Sequence, residues 1–395
     1  MFIHRTKRTL LAAAAVLGLS FCTMAETSPV QAIDIGTIGT IAQAGAYYAQ
    51  LNQQLNYLDN EGRDDYMKQI KAKYGVNTDY QANAMTERVM TRLSNAIAKT
   101  DPSILKKPYN YFVNNDTSFN AFCTIGHNMS VNIGLFEPLN YNENEVAFVL
   151  AHEMGHGQKN HAISGVKKRM PLDLLAAIYG SGGGAAQLGA AILDQIGSAK
   201  LVTKPMEKEA DALGFQYAVA AGYNVGGGAA LWQRFLDKEK DVQTSGIMEL
   251  FNDHPTTVSR RDTYSADITK WSNNVVAVNK DTGMITIRKK DFYQPQDIPN
   301  MSGKERAYLI AGNLSAVYHN NGKPSVSDVH VDGNNILCVG QQQIMDLSPV
   351  KKGHPASRVL LYRMPLLFFP FPIILCFIFI TLHDKIILYR RSIQL

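Results

Sequence analysis

The first half of the chain contains long stretches with helical spacing of apolar residues and two short apolar runs. Residues 35–58 and 64–99 place apolar and small side chains three or four positions apart, which predicts helices. Residues 109–113 and 129–133 are short runs of aromatic and β-branched side chains, separated by a polar, glycine-containing segment. These two runs predict strands that are joined through a turn.

Signals for helix ends place two further helices in the middle of the chain. One is predicted to begin at Asn142, with Glu145 as its capping-box partner three residues on. The other is predicted to start at Pro205 and to stop at Gly222. Between them, residues 179–197 are rich in glycine and alanine and poor in charge. This composition fits a close-packed helical hairpin, a flap over a cleft or a surface that leans on a membrane.

The pattern changes again in the last third of the chain. Residues 275–278 and 284–287 are apolar runs that flank an Asp-Thr-Gly turn, which predicts a hairpin. A helix is predicted over residues 303–319, and residues 328–339 are strand-like. The predicted fold class is therefore α+β, with a mainly helical core, a small antiparallel sheet and a small α+β C-terminal domain at residues 263–350.

The two ends of the chain differ in composition from the rest. A basic region and an apolar run precede small-residue cleavage sites after Ala25 and Ala32, so residues 1–32 predict a signal peptide. The mature protein is then expected in the periplasm, the cell envelope or the extracellular space. Residues 351–395 are basic and apolar, and residues 365–382 form an uncharged stretch just long enough to span a bilayer. That stretch is either a transmembrane segment that tethers the protein or an aberrant C-terminus.

The formal net charge of +5 is carried by these ends. Ten of the 39 basic residues, but only two of the 34 acidic residues, lie in residues 1–32 and 351–395, which leaves the rest slightly acidic. No nucleic-acid partner is expected from such a distribution. Cys123 and Cys338 are the two cysteines of the predicted mature body, where they form either a disulfide or two separate buried thiols.

The strongest chemical signal is the pair His152 and His156, with Glu153 beside the first histidine. Residues four apart on a helix share one face, so the two imidazoles can bind a single metal ion. Glu153 falls on the apolar side of the predicted helix, where a carboxylate is costly unless it is paired or works at a metal. The pattern predicts one Zn²⁺ per chain and a metallopeptidase in which Glu153 is the general base for zinc-bound water.

A third zinc ligand is predicted on a later helix. Glu207 and Asp211 are four residues apart and share a face, whereas Glu209 points nearly opposite. Glu207 is therefore the predicted ligand, and Asp211 is predicted to accept a hydrogen bond from a ligand imidazole and so fix its tautomer. His161 is predicted to point away from the ligand face if the first helix continues through it.

Three separated motifs resemble those of the HtpX/BepA-like gluzincin peptidases, the group that includes the CAAX prenyl proteases. The resemblance covers roughly residues 60–265, and the motifs occur in the order of the family. They are Asn142 to His156 with His161-Ala162, Glu207-x-Glu209-Ala210-Asp211-x-x-Gly214 with Ala221-Gly222-Tyr223, and Asp253-His254-Pro255 with Arg260.

The resemblance implies a zincin-type fold, the same three zinc ligands and roles for further residues. His254 would lie near the metal, where it either steadies the tetrahedral oxyanion or caps the resting zinc. Arg260 would pair with a carboxylate behind the ligands. Asn120, Ala121 and Phe122 would lead into the edge strand against which the substrate backbone lies.

Two functions of different class fit these features. The leading hypothesis is a zinc endopeptidase in residues 33–262 that hydrolyses exported or misfolded envelope proteins, so that its partners are protein or peptide substrates. The alternative is an extracytoplasmic chaperone or scaffold whose zinc is structural or self-capped. Glu153 favours the enzyme, because a purely structural zinc site has no use for a general base. A membrane-embedded prenyl-protein protease fits poorly, since the histidine motif is not set among long apolar spans.

Overall fold

Helices dominate the part of the chain that the computed structural model describes, residues 35–196, 201–241, 257–319 and 322–348. The chain divides into two units, residues 1–50 and 51–395, and residues 35–50 of the first unit are helical. The described helices are α1 Ile35–Asp59, α2 Arg63–Tyr74, α3 Tyr80–Ile97, α4 Ser103–Lys106, α5 Glu143–Gln158, α6 His161–Arg169, α7 Leu172–Gly180, α8 Ala185–Ile196, α9 Lys204–Ala220, α10 Gly227–Asp241, α11 Thr257–Trp271 and α12 Gly303–Tyr318. The described strands are β1 Asn110–Asn114, β2 Ala121–Thr124, β3 Asn128–Asn132, β4 Val276–Val278, β5 Ile285–Ile287, β6 Lys290–Tyr293, β7 Val329–Val331, β8 Ile336–Val339 and β9 Gln342–Asp346.

The first sheet has the strand order β1-β3-β2, which leaves β2 at an edge. Strand β3 lies between β1 and β2. It runs parallel to β1 and antiparallel to β2, so the sheet is mixed. The strands predicted at residues 109–113 and 129–133 correspond to β1 and β3. The sheets β4-β5-β6 and β7-β8-β9 are antiparallel, and the first contains the predicted hairpin.

Helix α5 lies at the centre of the hydrophobic core. Its residues Val146, Leu150, Ala151 and Met154 are fully buried, and α3, α9, α10 and β2 pack around it. A helix with apolar side chains around most of its circumference has no face suited to water, so it is stable only in the interior. Complete burial of one leucine of this kind stabilises a fold by about 1.5–3 kcal/mol. The predicted α+β, mainly helical architecture is confirmed.

The two helices predicted from end signals begin close to the expected residues. Asn142 caps α5 by accepting a hydrogen bond from the backbone N–H of Asn144 at 3.2 Å. The predicted capping box is wrong, because the backbone N–H of Asn142 donates to the carbonyl oxygen of Leu139 instead. Glu145 receives the side-chain amide of Asn142 and also binds a buried arginine, Arg234, at 2.9 Å. Helix α9 begins at Lys204, one residue before the predicted Pro205, and Gly222, with φ 79°, follows its end as expected.

Residues 263–348 share the core of the preceding helices. Tyr308 and Leu314 of α12 are fully buried, and α12 packs against both α10 and α11. The backbone at Gly226, just before α10, lies against the backbone of α12. A Cβ atom on Gly226 would lie 1.9 Å from the carbonyl oxygen of Tyr308, so only glycine fits there. The boundary at residue 262 stays a prediction, and the apolar core is continuous across it.

The structure also bears on the expectations for the cysteines, for the glycine-rich segment and for membrane-spanning helices. Cys123 and Cys338 are both buried free thiols. Residues 179–196 fall on the end of α7 and on α8, two helices separated by a short glycine-rich turn. Among the described helices, none combines the length and apolar character needed to cross a bilayer. The predicted signal peptide at residues 1–32 and the stretch at residues 365–382 lie outside the described residues.

Candidate metal centre

Two imidazoles and one carboxylate converge between α5 and α9. The Nε2 atoms of His152 and His156 lie 3.1 Å apart. Oxygen atoms of Glu207 lie 3.4 Å from each of these nitrogens. All three side chains are buried, and their donor atoms form the group that can hold a metal ion within the described residues.

The cluster forms because α5 and α9 approach each other unusually closely. A Cβ atom on Gly214 would lie 3.0 Å from the backbone nitrogen of His152, and one on Gly155 would lie 3.1 Å from the carbonyl oxygen of Ala210. Each helix therefore presents a glycine to the backbone of the other. This packing brings Glu207, in the first turn of α9, onto the face of α5 that carries both histidines.

The Nδ1 side of the His152 ring, which faces away from His156 and Glu207, contacts a buried ionic network. Its Nδ1 atom lies 2.9 Å from Oδ1 of Asp211, one turn after Glu207 on α9. Arg260 of α11 donates to both oxygens of Asp211, and its Nε lies 2.9 Å from Oδ2. The hydroxyl of Tyr264 donates to Asp211 Oδ1 at 3.1 Å, and the guanidinium of Arg260 stacks over the ring of Trp232 at 4.0 Å. This bidentate pairing holds the carboxylate rigidly behind the imidazole.

The Nδ1 side of the His156 ring contacts another histidine instead of a carboxylate. Its Nδ1 atom lies 3.0 Å from Nδ1 of His161, whose Nε2 atom lies 3.3 Å from Oε2 of Glu209. Lys159 contacts the other oxygen of Glu209 at 3.1 Å. Helix α5 ends at Gln158, so the chain turns before His161 and directs that side chain back toward the site.

Glu153 lies between the cluster of His152, His156 and Glu207 and the edge of the first sheet. Its Oε2 atom accepts a hydrogen bond of 2.9 Å from the backbone N–H of Cys123 on β2, and its Oε1 atom lies 4.0 Å from Nε2 of His152. The Cys123 N–H thus points away from β3. The carbonyl of Asn120 instead accepts from the backbone N–H of Asn132, toward β3. Because backbone groups alternate along a strand, those of Ala121 face the open edge and those of Phe122 face β3.

Burial and neighbouring charges shift the pKa values of several groups in and around this cluster. Burial and Arg260 lower the pKa of His152, but Asp211 and Glu207 outweigh them and raise it to about 9. Burial raises the pKa of Asp211, but Arg260 and His152 outweigh it and hold that pKa well below its usual range. Burial, together with the neighbouring Glu153, raises the pKa of the Cys123 thiol well above its usual value. Cys123 is thus a neutral packing residue, and its Sγ atom lies 3.0 Å from the position that a Cβ atom on Gly157 would take.

The donor set and its spacing suit zinc. Donor atoms of a tetrahedral zinc site with bonds of about 2.0–2.1 Å lie about 3.3 Å apart. The three distances among His152, His156 and Glu207 are 3.1, 3.4 and 3.4 Å. Two neutral imidazoles and one carboxylate also form a ligand set found in catalytic zinc sites, which keep the fourth position for water or substrate.

The structure brings together most of the residues that the sequence singled out. His152, Glu153, His156, Glu207, Asp211 and Arg260 lie within one cluster, and Asn120, Ala121 and Phe122 lie at or beside the edge strand. His254 lies outside the described residues, so both of its roles stay predictions.

Sequence reasoning missed two contacts of the site. His161 was predicted to point away only if the first helix continued through it, and that condition is not met, because α5 stops at Gln158 and Asn160 takes a left-handed conformation with φ 51°. Asn160, a residue type that often follows the last turn of a helix, was the available signal for that break. Glu209 does point away from the metal ligands, as predicted, but toward His161. The hydrogen bond between Cys123 and Glu153 had no sequence signal, because a backbone donor of any residue type could supply it.

Comparisons with known proteins agree with this geometry. The pattern of peptidase family M48 matches residues 81–266, a range that contains His152, His156, Glu207 and the residues that contact them. The metalloprotease LoiP of Escherichia coli is 29% identical over 196 residues, which cover 47% of this chain and 73% of that protein. The beta-barrel assembly-enhancing protease of Escherichia coli is 23% identical over 284 residues, covering 69% of this chain and 53% of that protein. The mitochondrial metalloendopeptidase OMA1 of Saccharomyces cerevisiae is 28% identical over 165 residues, covering 41% of this chain and 46% of that protein.

The chain spans about half the length of most of the curated relatives it matches. The family match nevertheless coincides with the residues that build the cluster, and the family implies a metal, generally zinc. Residues 81–266 therefore match a domain of peptidase family M48, and the matched range contains the cluster of His152, His156 and Glu207.

Proposed function

We propose that the chain is a zinc-dependent endopeptidase that hydrolyses peptide bonds of exported proteins, including misfolded proteins of the cell envelope. The observation that carries this proposal is the convergence of His152, His156 and Glu207 beside Glu153, within an M48 domain. The predicted signal peptide supports export, and the relative named as an assembly-enhancing protease supports a role among proteins that are being assembled.

His152, His156 and Glu207 would hold the metal in this proposal. Zinc supplies Lewis-acid chemistry when bound, because it polarises a carbonyl group and lowers the pKa of water toward about 7. Glu153 would take the proton of the attacking water and deliver it to the leaving amine. The hydrogen bond from Cys123 favours this role, because it holds one oxygen of Glu153 in place and leaves the other facing the cluster.

The edge of β2 is the proposed binding surface for the substrate backbone. The outward N–H of Cys123 is already used by Glu153, so Ala121 offers the free N–H and C=O pair nearest to the site. A peptide added to this edge would gain backbone hydrogen bonds that are independent of its sequence. Such binding fits an enzyme that acts on many unfolded segments.

The test is the substitution Glu153→Gln, which keeps the shape of the side chain but removes its basicity. We expect cleavage of casein or an unfolded protein to fall to the background level while one zinc per chain is retained. General acid–base groups contribute about 10²–10⁴-fold to rate, so a residual activity near wild type would contradict the mechanism. Glu143→Gln is the matched control, because Glu143 lies on the same helix and pairs with Arg88 far from the cluster.

The same assay separates the enzyme from the chaperone or scaffold alternative. Wild-type protein that binds zinc and prevents aggregation but cleaves no substrate would favour the alternative. His254→Ala should raise activity if His254 caps the resting zinc and lower it if His254 steadies the oxyanion.

A further inference from the structure

Behind His156, on the side away from Glu207, lies a histidine that the proposed reaction does not use. His161 is only 4% exposed, although it begins the short helix α6. Its Nδ1 atom lies 3.0 Å from His156 Nδ1, and its Nε2 atom lies 3.3 Å from Oε2 of Glu209. The two imidazole rings are nearly perpendicular, at 75°. A continuous row of polar groups thus runs from a proposed metal ligand to the protein surface.

One arrangement of protons satisfies every group in this row. An imidazole that binds a metal through Nε2 carries its proton on Nδ1, so His156 needs an acceptor on that side. The acceptor is Nδ1 of His161, which then carries its own proton on Nε2 and donates to Glu209. The second oxygen of Glu209 is held by Lys159 at 3.1 Å.

His161 is not placed to be a ligand itself. Within the described residues, the atoms that can hold a metal belong to His152, His156 and Glu207, and the nearer nitrogen of His161 faces the back of His156. Its burial beside a ligand therefore points to a role that acts through that ligand.

We propose that His161 is a positioning residue that holds His156 in the tautomer and orientation needed for metal binding, and that Glu209 in turn orients His161. This inference rests on the proposed zinc site. It extends that site by a second support, which differs in chemistry from the support of His152.

The two supports differ in strength. His152 is backed by the buried carboxylate of Asp211, which Arg260 and Tyr264 hold in place. His156 is backed by a neutral imidazole whose own partner, Glu209, has a side chain that is 47% exposed. A neutral acceptor binds an N–H donor less strongly than a carboxylate does. His156 is therefore the ligand that releases the metal first, and the His161 contact limits the rate of that release.

The experiment measures zinc affinity and the zinc dissociation rate on the full chain, by competition with a chromogenic chelator. His161→Leu removes the acceptor, whereas His161→Asn keeps an acceptor oxygen near the position of Nδ1. Loss of a group behind a ligand weakens metal binding by about 10–100-fold, so we expect His161→Leu to fall in that range. His161→Asn should stay close to wild type, and faster dissociation should account for most of the loss in His161→Leu.

Two further variants separate positioning from packing. Glu209→Gln changes a half-exposed side chain and should weaken zinc binding less than His161→Leu, without lowering the melting temperature of the metal-free protein. Asp194→Asn is its matched control, because Asp194 pairs with Lys73 in an exposed ion pair of the same kind. His319→Leu removes a histidine that contacts a backbone carbonyl, that of Trp271, and should leave zinc affinity unchanged.

The inference is overturned if His161→Leu binds zinc as tightly as wild type. It is also overturned if the Asn and Leu variants lose affinity equally, since packing alone would then explain the effect. If His161→Leu does not fold, Glu209→Gln decides, and an unchanged dissociation rate in that variant counts against the proposal. Failure of the zinc site itself is recognised separately, because wild-type protein would then bind no zinc at all.

Discussion

At the residue scale, the site depends on Gly214 and Gly155, two positions where a side chain would push apart the helices α9 and α5. A Cβ atom on Gly214 would lie 3.0 Å from the backbone nitrogen and 3.1 Å from the Cα atom of His152. These neighbours belong to a helix backbone and cannot rotate away. Glycine in a helix costs about 1 kcal/mol relative to alanine, so its presence here is explained by the close approach and not by helix formation.

We expect Gly214→Ala to weaken zinc binding and to lower the free energy of unfolding by about 1–2 kcal/mol, because forced overpacking exceeds the gain in helix propensity. Urea unfolding and chelator competition measure the two effects. Gly45→Ala is the matched helical control, because a Cβ atom there would meet nothing within 4 Å. An alanine at Gly214 that stabilises the protein would show that the helices move apart at little cost.

At the scale of the elements, one buried arginine joins three helices. Arg234 of α10 donates to Glu145 of α5 at 2.9 and 3.2 Å, and it also donates to Glu305 of α12. All three side chains are at most 5% exposed. Burial and the neighbouring Glu145 raise the pKa of Glu305 to about 9. Two carboxylates thus share one cation, and one of them carries a proton at neutral pH.

Arg234→Met should destabilise the fold by about 3–5 kcal/mol at neutral pH, because it leaves two carboxylates in the core without their cation. Glu305 binds a proton in the folded protein between its unfolded pKa, about 4.3, and its folded pKa, so the free energy of unfolding falls as pH rises through this window. Without the cation, both buried carboxyl groups favour their protonated forms still more, so the stability of the variant falls more steeply with pH than that of wild type. The cost of the variant should therefore be smaller at pH 5 than at pH 8.

Chemical denaturation at both pH values is the measurement. Arg88→Met is the matched control. Arg88 of α3 is an exposed partner of Glu143, which lies on the same helix as Glu145, and its loss should cost less than about 1 kcal/mol. A wild-type free energy of unfolding that shows no contribution from Glu305, so that Glu305→Gln leaves its pH dependence unchanged, would exclude the protonation of Glu305.

At the scale of the whole molecule, the peptidase domain and the residues after it share one core. Asn224 donates to the carbonyl oxygen of Leu309 at 2.9 Å and to Asn313 at 2.8 Å, across the boundary predicted at residue 262. Tyr308 is fully buried in the continuous apolar cluster. Removal of α12 would expose apolar surface on α10 and α11, two helices that also carry Arg234 and Arg260.

A chain that ends at Trp271, the last residue of α11, should therefore lose cooperative thermal unfolding and zinc binding. The control is a chain that ends at residue 348, which keeps every described element and should unfold cooperatively. Circular dichroism melting curves and zinc stoichiometry measure the difference. A cooperative transition in the shorter chain would instead support two independently folding domains.

Local features of the sequence determined much of this protein. The four-residue spacing places His152 and His156 on one helix face, and the same rule selected Glu207 over Glu209 on the later helix. Proline and glycine marked the ends of that helix, and short apolar runs marked β1 and β3. Each of these inferences depends on neighbours within a few residues, where helix and strand periodicity governs direction.

Only the tertiary structure decided which distant groups meet. The contact of His161 with His156 depends on the exact end of α5, the shared Arg234 depends on the packing of α5 with α10 and α12, and the mixed first sheet depends on the order in which strands pair. Many distant partners are compatible with any one local pattern, so packing of the whole core selects among them. The histidine pair was therefore evident from the sequence, whereas its two unequal supports were not.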